Sequence, residues 1–339
     1  MNMHASIHWR LGVGALFLAC LSILLLSSSV IAQTASTGAL AGTVRDASGA
    51  VIPNATVTAT SVDTGQARTT MTGTEGTYRF ALLSPGNYRV RIEAGGFKAA
   101  EIPSATVSVT ETAVLDRALE VGSQAQAVTV QSEVEAIQTT SSALGTIANS
   151  RTVTELPLNT RNYTNLLAMS AGVSGNVSNA TQIGKGATNM MVNGANNNQN
   201  TYLLNGMVEN SFTATSEVSD GVWIGNFAMP NPDAIAEFKI QTSSYDAGYG
   251  RNPGANVNVV TKSGTNAFHG AAFEFLRNTA LNANDWFLNR TNTPRPTLNS
   301  NQFGGDVGGP IKKDKLFFFL SYQETDQKNG FSAFSYSTS

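Results

Sequence analysis

From residue 38 to residue 119 a turn signal interrupts the chain about every ten residues, which leaves room for strands and none for a helix of ordinary length. The interruptions are Asp46-Ala47-Ser48-Gly49, Asp63-Thr64-Gly65, Gly73-Thr74-Glu75-Gly76 and Ser84-Pro85-Gly86-Asn87. Each supplies residues suited to a backbone reversal. Strands are therefore predicted at 40–45, 56–61, 67–72, 78–82, 88–93, 106–110 and 113–119. In Tyr88-Arg89-Val90-Arg91-Ile92-Glu93 apolar and charged residues alternate, so one face is written for a core and the other for water. That pattern predicts an all-β sandwich, Ig-like or prealbumin-like, over residues 36–120.

The rest of the chain keeps the same bias. Only 13% of the residues are Asp, Glu, Lys or Arg, against about 25% in an average soluble protein. Glycine, with 31 residues, and uncharged polar residues fill the difference. The net charge of −2 offers no basic field, so no nucleic-acid partner is expected. Cys20 is the only cysteine, and His269 is the only histidine outside the first eight residues. No disulfide, Cys-based zinc site or Cys/His dyad is available, a Ser-His-Asp triad would have to use His269, and neither an enzyme nor a cofactor is expected.

Arg10 precedes an uncharged apolar run over residues 11–31 that ends in Val30-Ile31-Ala32. Those are the parts of a secretory leader, predicted over residues 1–32 with cleavage before Gln33. Beyond the sandwich, residues 121–150 read as a linker. A short helix is predicted around 161–170, with Leu166, Leu167 and Met169 facing a core, and residues 175–200 read as loop. Strands are predicted at 234–242 and 255–261, the second alternating Val257 and Val259 with Asn256 and Asn258. Residues 268–277 and 316–322 are aromatic-rich and suit outer-membrane strands of about ten residues. His269 and Glu274 fall on opposite faces of such a strand and make no metal pair. Gly184-Lys185-Gly186 lacks the spacing of a phosphate loop.

Gly42-Thr43-Val44-Arg45-Asp46, Ile52-Pro53-Asn54-Ala55-Thr56-Val57, Gly76-Thr77-Tyr78-Arg79-Phe80 and Leu83-Ser84-Pro85-Gly86-Asn87-Tyr88 resemble the carboxypeptidase regulatory-like domain. That domain is the non-catalytic companion of a zinc peptidase and belongs to a wider carbohydrate-binding-like fold group. Glu155-Leu156-Pro157-Leu158-Asn159-Thr160-Arg161-Asn162-Tyr163, Met191-Val192-Asn193-Gly194, Tyr202-Leu203-Leu204-Asn205-Gly206-Met207 and Asn256-Val257-Asn258-Val259-Val260-Thr261-Lys262-Ser263-Gly264 resemble a TonB-dependent receptor plug, with Asn205 where the family more often has Asp. Gly308-Gly309-Pro310-Ile311-Lys312-Lys313-Asp314-Lys315 is similar to the first barrel strands of the Oar-like subgroup.

The resemblance implies a mixed α+β plug over 151–262 and the start of an outer-membrane β-barrel over 263–339. It also implies gated, energised uptake of a large solute of the siderophore, carbohydrate or peptide class. The expected surroundings are outer-membrane lipid, an unidentified extracellular ligand and an inner-membrane TonB-type complex. The position of Ala127, Val128, Thr129, Val130 and Gln131 between sandwich and plug matches that of the family's TonB box, an extended peptide captured by strand addition. The 77 residues after Lys262 suffice for roughly four strands, whereas such a barrel has about 22. A truncated product or fragment is therefore expected. The competing reading is an exported β-sandwich adhesion or carbohydrate-binding-like module without transport.

Overall fold

The computed structural model describes residues 36–122, 127–129, 144–156, 158, 160–176, 189–210, 230–245, 248–250 and 252–330. The predicted leader, and residues 184–186, lie outside the described residues. The fold is mainly β, with two apolar cores and a third sheet.

The first core is enclosed by nine strands: β1 (Gly38–Asp46), β2 (Thr56–Ser61), β3 (Ala67–Met71), β4 (Thr77–Leu83), β5 (Gly86–Glu93), β6 (Ala99–Val107), β7 (Thr112–Val114), β8 (Arg117–Leu119) and β9 (Ala127–Thr129). One sheet is built on β1, which pairs antiparallel with β4 and parallel with β7 and β8. The other runs β3-β2-β5-β6-β9. Leu40, Val44, Val57, Val90, Ile92, Ile102 and Leu119 fill the space between them. Gly42 is required where β1 meets the chain between β7 and β8, because a Cβ there would lie 1.9 Å from the Leu115 carbonyl oxygen.

Two predicted strands differ from those observed. In place of 106–110 the chain forms β6, which begins at Ala99 and contains Pro103. Tyr88 pairs with Ala105 but Val90 with Ile102, so an extra residue bulges from β6 and Pro103 sits exposed in the bulge, where its missing N–H costs nothing. The strand predicted at 113–119 is split. The Asp116 carboxylate accepts from the Thr43 N–H at 2.7 Å, taking the place of a ladder carbonyl between β7 and β8.

The second core lies under a mixed sheet. Its strands are β10 (Leu144–Asn149), β13 (Thr201–Leu204), β14 (Met207–Val208), β15 (Ile235–Ser243) and β16 (Asn256–Thr261), in the order β10-β15-β16-β13-β14. β11 (Val173–Asn176) and β12 (Asn189–Val192) form a separate hairpin in part of the region predicted as loop. Alternation is again the cause: Met190 and Val192 are buried and Met191 is exposed. Helix α1 (Ser150–Glu155) starts at Asn149, whose side chain accepts from the Thr152 N–H. The helix predicted around 161–170 is a 3-10 helix, Tyr163–Met169, capped by Asn162. Leu166 and Leu167 enter the core, but Met169, the last residue of the helix, is 70% exposed. Asn193-Gly194 and Asn205-Gly206 all have positive φ, as a tight type I′ turn demands.

The third sheet is an antiparallel meander of β17 (His269–Asn278), β18 (Leu298–Lys312) and β19 (Leu316–Asn329). Three strands lie in this region among the described residues. β18 and β19 run 15 and 14 residues, and the β17–β18 connection holds helix α2 (Trp286–Arg290). By contrast β18 and β19 are joined by a short turn around Asp314.

Candidate functional site

Of the residues singled out for partner capture, Ala127, Val128 and Thr129 form β9, while Val130 and Gln131 lie outside the described residues. β9 pairs parallel with β6, Ala99 with Ala127, Ala100 with Val128 and Glu101 with Thr129, and so ends the sandwich sheet among the described residues. Its neighbour β6 matters for a second reason. The loop that continues it reaches the mixed sheet.

There the Val109 N–H donates to Glu237 Oε2 at 3.2 Å, and Lys239 Nζ donates to Glu111 Oε1 at 2.8 Å. The Lys239 side chain is 4% exposed and that of Glu111 19%. Along β15 these residues alternate with Phe238 and Ile240, which face the second core. The Val/Asn alternation predicted in β16 has the same geometry: Lys239 lies opposite Asn258 and Gln241 opposite Asn256. Both asparagines are buried, so the mixed sheet has a polar face that is closed off from water. Burial pushes the Glu237 carboxyl above its ordinary value, against the opposing pull of the Val109 N–H and the Ser108 hydroxyl.

A second cluster joins the mixed sheet to the meander. Arg161, itself in a left-handed backbone conformation, pairs with Asp233 and donates to Asn231 Oδ1 at 3.1 Å. Its guanidinium carbon stacks 4.6 Å from the Phe273 ring centre and 4.2 Å from that of Phe275. Burial lowers the Arg161 pKa, opposed by Asp233. Guanidinium suits this place because its flat faces are weakly hydrated and stack on rings while its edge pairs with a carboxylate. Sequence reasoning quoted Arg161 only as part of a motif. The spacing of two in Phe273-Glu274-Phe275 was the available sign that both rings share one face of β17.

Within the aromatic-rich segment 268–277, Phe273 and Phe275 therefore face Arg161. The other face of the meander carries Leu276, Phe303, Val307, Leu320 and Tyr322, all exposed. On the inner face Ser300, Gln302 and Asp306 of β18 are buried, opposite Gln327, Thr325 and Ser321 of β19. Along the middle of β18 and β19 the outer face is thus apolar and the inner face polar, the inverse of a water-soluble sheet. On the outer face of β19 the apolar run stops at Tyr322 and continues as Glu324, Asp326 and Lys328. His269, set aside as a metal ligand, stacks on Phe319 with ring centres 6.3 Å apart.

Residues 39–120 match the carboxypeptidase regulatory-like domain, and residues 260–338 match the outer membrane beta barrel domain. Among curated proteins the chain is 26% identical, over 311 residues, to "TonB-dependent transporter Oar" of Myxococcus xanthus. The alignment takes in 88% of this chain and 27% of that relative's length. Solved structures that resemble it include the ferric enterobactin receptor mutant PfeA of Pseudomonas aeruginosa, with 15% identity, a TM-score of 0.39 and coverage of 56% of this chain and 25% of that one. The siderophore receptor PirA of Acinetobacter baumannii matches with 22% identity, a TM-score of 0.38 and coverage of 55% and 24%. Likenesses of this size add no argument to what the chain's own residues carry.

Proposed function

We propose that this homologue of the TonB-dependent transporter Oar, an outer-membrane protein with a regulatory-like sandwich ahead of its barrel strands, works as part of a TonB-dependent receptor. In this reading residues 151–262 are the plug, residues 263–339 open the barrel, and the chemistry is gated passage of a large solute rather than bond making. The observation that carries it is the two-faced meander. An exposed row of Leu276, Phe303, Val307, Leu320 and Tyr322 is stable against lipid and a liability in water. The plug reading rests on the Arg161 cluster, which packs against Phe273 and Phe275 on the inner side of that meander, where a barrel's filling belongs.

Residues 127–131 would then be offered to the inner-membrane partner. β9 has one edge against β6 and one that no described strand occupies, so an incoming strand adds there. Successive backbone N–H groups on a strand point to opposite edges, so Val128→Pro and Thr129→Pro each remove a donor from a different edge. One of the two substitutions is expected to abolish crosslinking of the chain to the periplasmic domain of the TonB-type protein. Capture that survives both would show that the partner binds elsewhere.

A further inference from the structure

One strand touches both the candidate capture segment and the mixed sheet. β6 holds β9 along its edge through three paired positions, and its own continuation, Ser108 to Glu111, supplies every contact to Glu237 and Lys239 described above. The sandwich also reaches the foot of the meander. The Asn266 N–H donates to the Asp63 carbonyl at 2.9 Å, and Asn266 and Asp314 exchange two hydrogen bonds of 2.7 and 2.9 Å.

We propose that the regulatory-like sandwich is a mechanical coupler, in which β6 ties the 127–129 segment at one edge to β15 of the mixed sheet through a buried Glu111–Lys239 latch. A pull on residues 127–131 then loads the sandwich directly, through β6 and through residues 120–126, which connect β8 to β9. The sandwich passes the load to β15. The other route from that segment to the mixed sheet is the connector of residues 130–143, which leads only to β10.

The latch is built to hold until it breaks outright. A buried pair that loses one partner leaves an uncompensated charge, a large penalty that appears over a short displacement. The exposed pair Arg91–Glu93 has no such property, because water replaces either partner. The idea deepens the receptor reading, since load on 127–131 has meaning only there. The joint itself is tested without any partner or solute.

In the 339-residue chain held in detergent, amide exchange is followed by mass spectrometry in peptides 105–112 and 235–243. Lys239→Met is expected to speed exchange in both peptides by about tenfold or more. The charge exchange Glu111→Lys with Lys239→Glu should restore it to near the wild-type rate, and Glu93→Gln should change neither peptide. At the other end of β6, the paired positions Ala100→Cys and Val128→Cys should form a disulfide on mild oxidation, read as loss of two hydrogen atoms, taken up by the oxidant, in the intact mass of that peptide pair. Faster exchange confined to one peptide, failure of the charge exchange to restore protection, or no disulfide would each overturn the coupler. Loss of partner crosslinking with the joint intact would instead count against the receptor reading alone.

Discussion

Glu237 shows how a single residue can set the behaviour of an interface. Its Oε2 accepts from Val109 while its Oε1 is buried without a partner among the described residues, and burial raises its pKa above the ordinary value. Glu111 raises it further and Lys239 lowers it; these are the charged groups that face it. A carboxyl whose folded pKa is raised binds its proton more tightly in the folded state. The associated stability is present at low pH and is lost as pH rises from the ordinary value through the folded one. Urea midpoints of the wild-type chain should therefore fall as pH rises from about 4 towards 7, and Glu237→Gln should flatten that slope. The amide still accepts from Val109, so the variant should be no less stable at neutral pH. A slope of equal size in the variant would assign the effect to another group.

At the scale of the element, most strands were legible, β15 and β16 among them, but what covers their second face was not. β5 announces itself by alternation and β17 by its aromatic residues. β6 hides behind Pro103, since a proline in a strand is tolerated only at a bulge, and a bulge is a property of the partner's register as much as of the sequence. The polar faces of β15 and β16 read as solvent-facing from Asn256, Asn258 and Lys239 alone. What buries them in part is a loop more than a hundred residues away, and no local pattern encodes that contact. The split between inner and outer faces of the meander makes its own prediction. Leu320→Arg, on the outer face, should lower stability in phospholipid vesicles by about 2–4 kcal/mol if the position lies near the bilayer midplane. Ser321→Arg, at the same level on the inner face, should cost much less. Urea unfolding from vesicles measures both, and equal costs would mean that the faces are assigned the wrong way round.

For the molecule as a whole, the two cores share no residue: one draws only on positions 40–119, the other only on positions 148–259. The hydrogen bonds described between sandwich and mixed sheet, Val109 to Glu237 and Lys239 to Glu111, lie outside both cores. The meander adds a vertical scale. Lys313 and Lys315 lie in the short turn that joins β18 to β19, and Lys328 lies near the far end of β19. In intact cells an amine reagent that does not cross the outer membrane should label Lys328 and leave Lys313 and Lys315 unlabelled until the membrane is permeabilised. The opposite pattern would invert the sheet in the bilayer. From Gln323 onward the outward-facing residues of β19 are Glu324, Asp326 and Lys328. At about 3.4 Å per residue those last seven positions rise some 20 Å. Above its apolar stretch, β19 thus stands as a hydrated parapet, two acids and then a base, taller than an oil layer alone would call for.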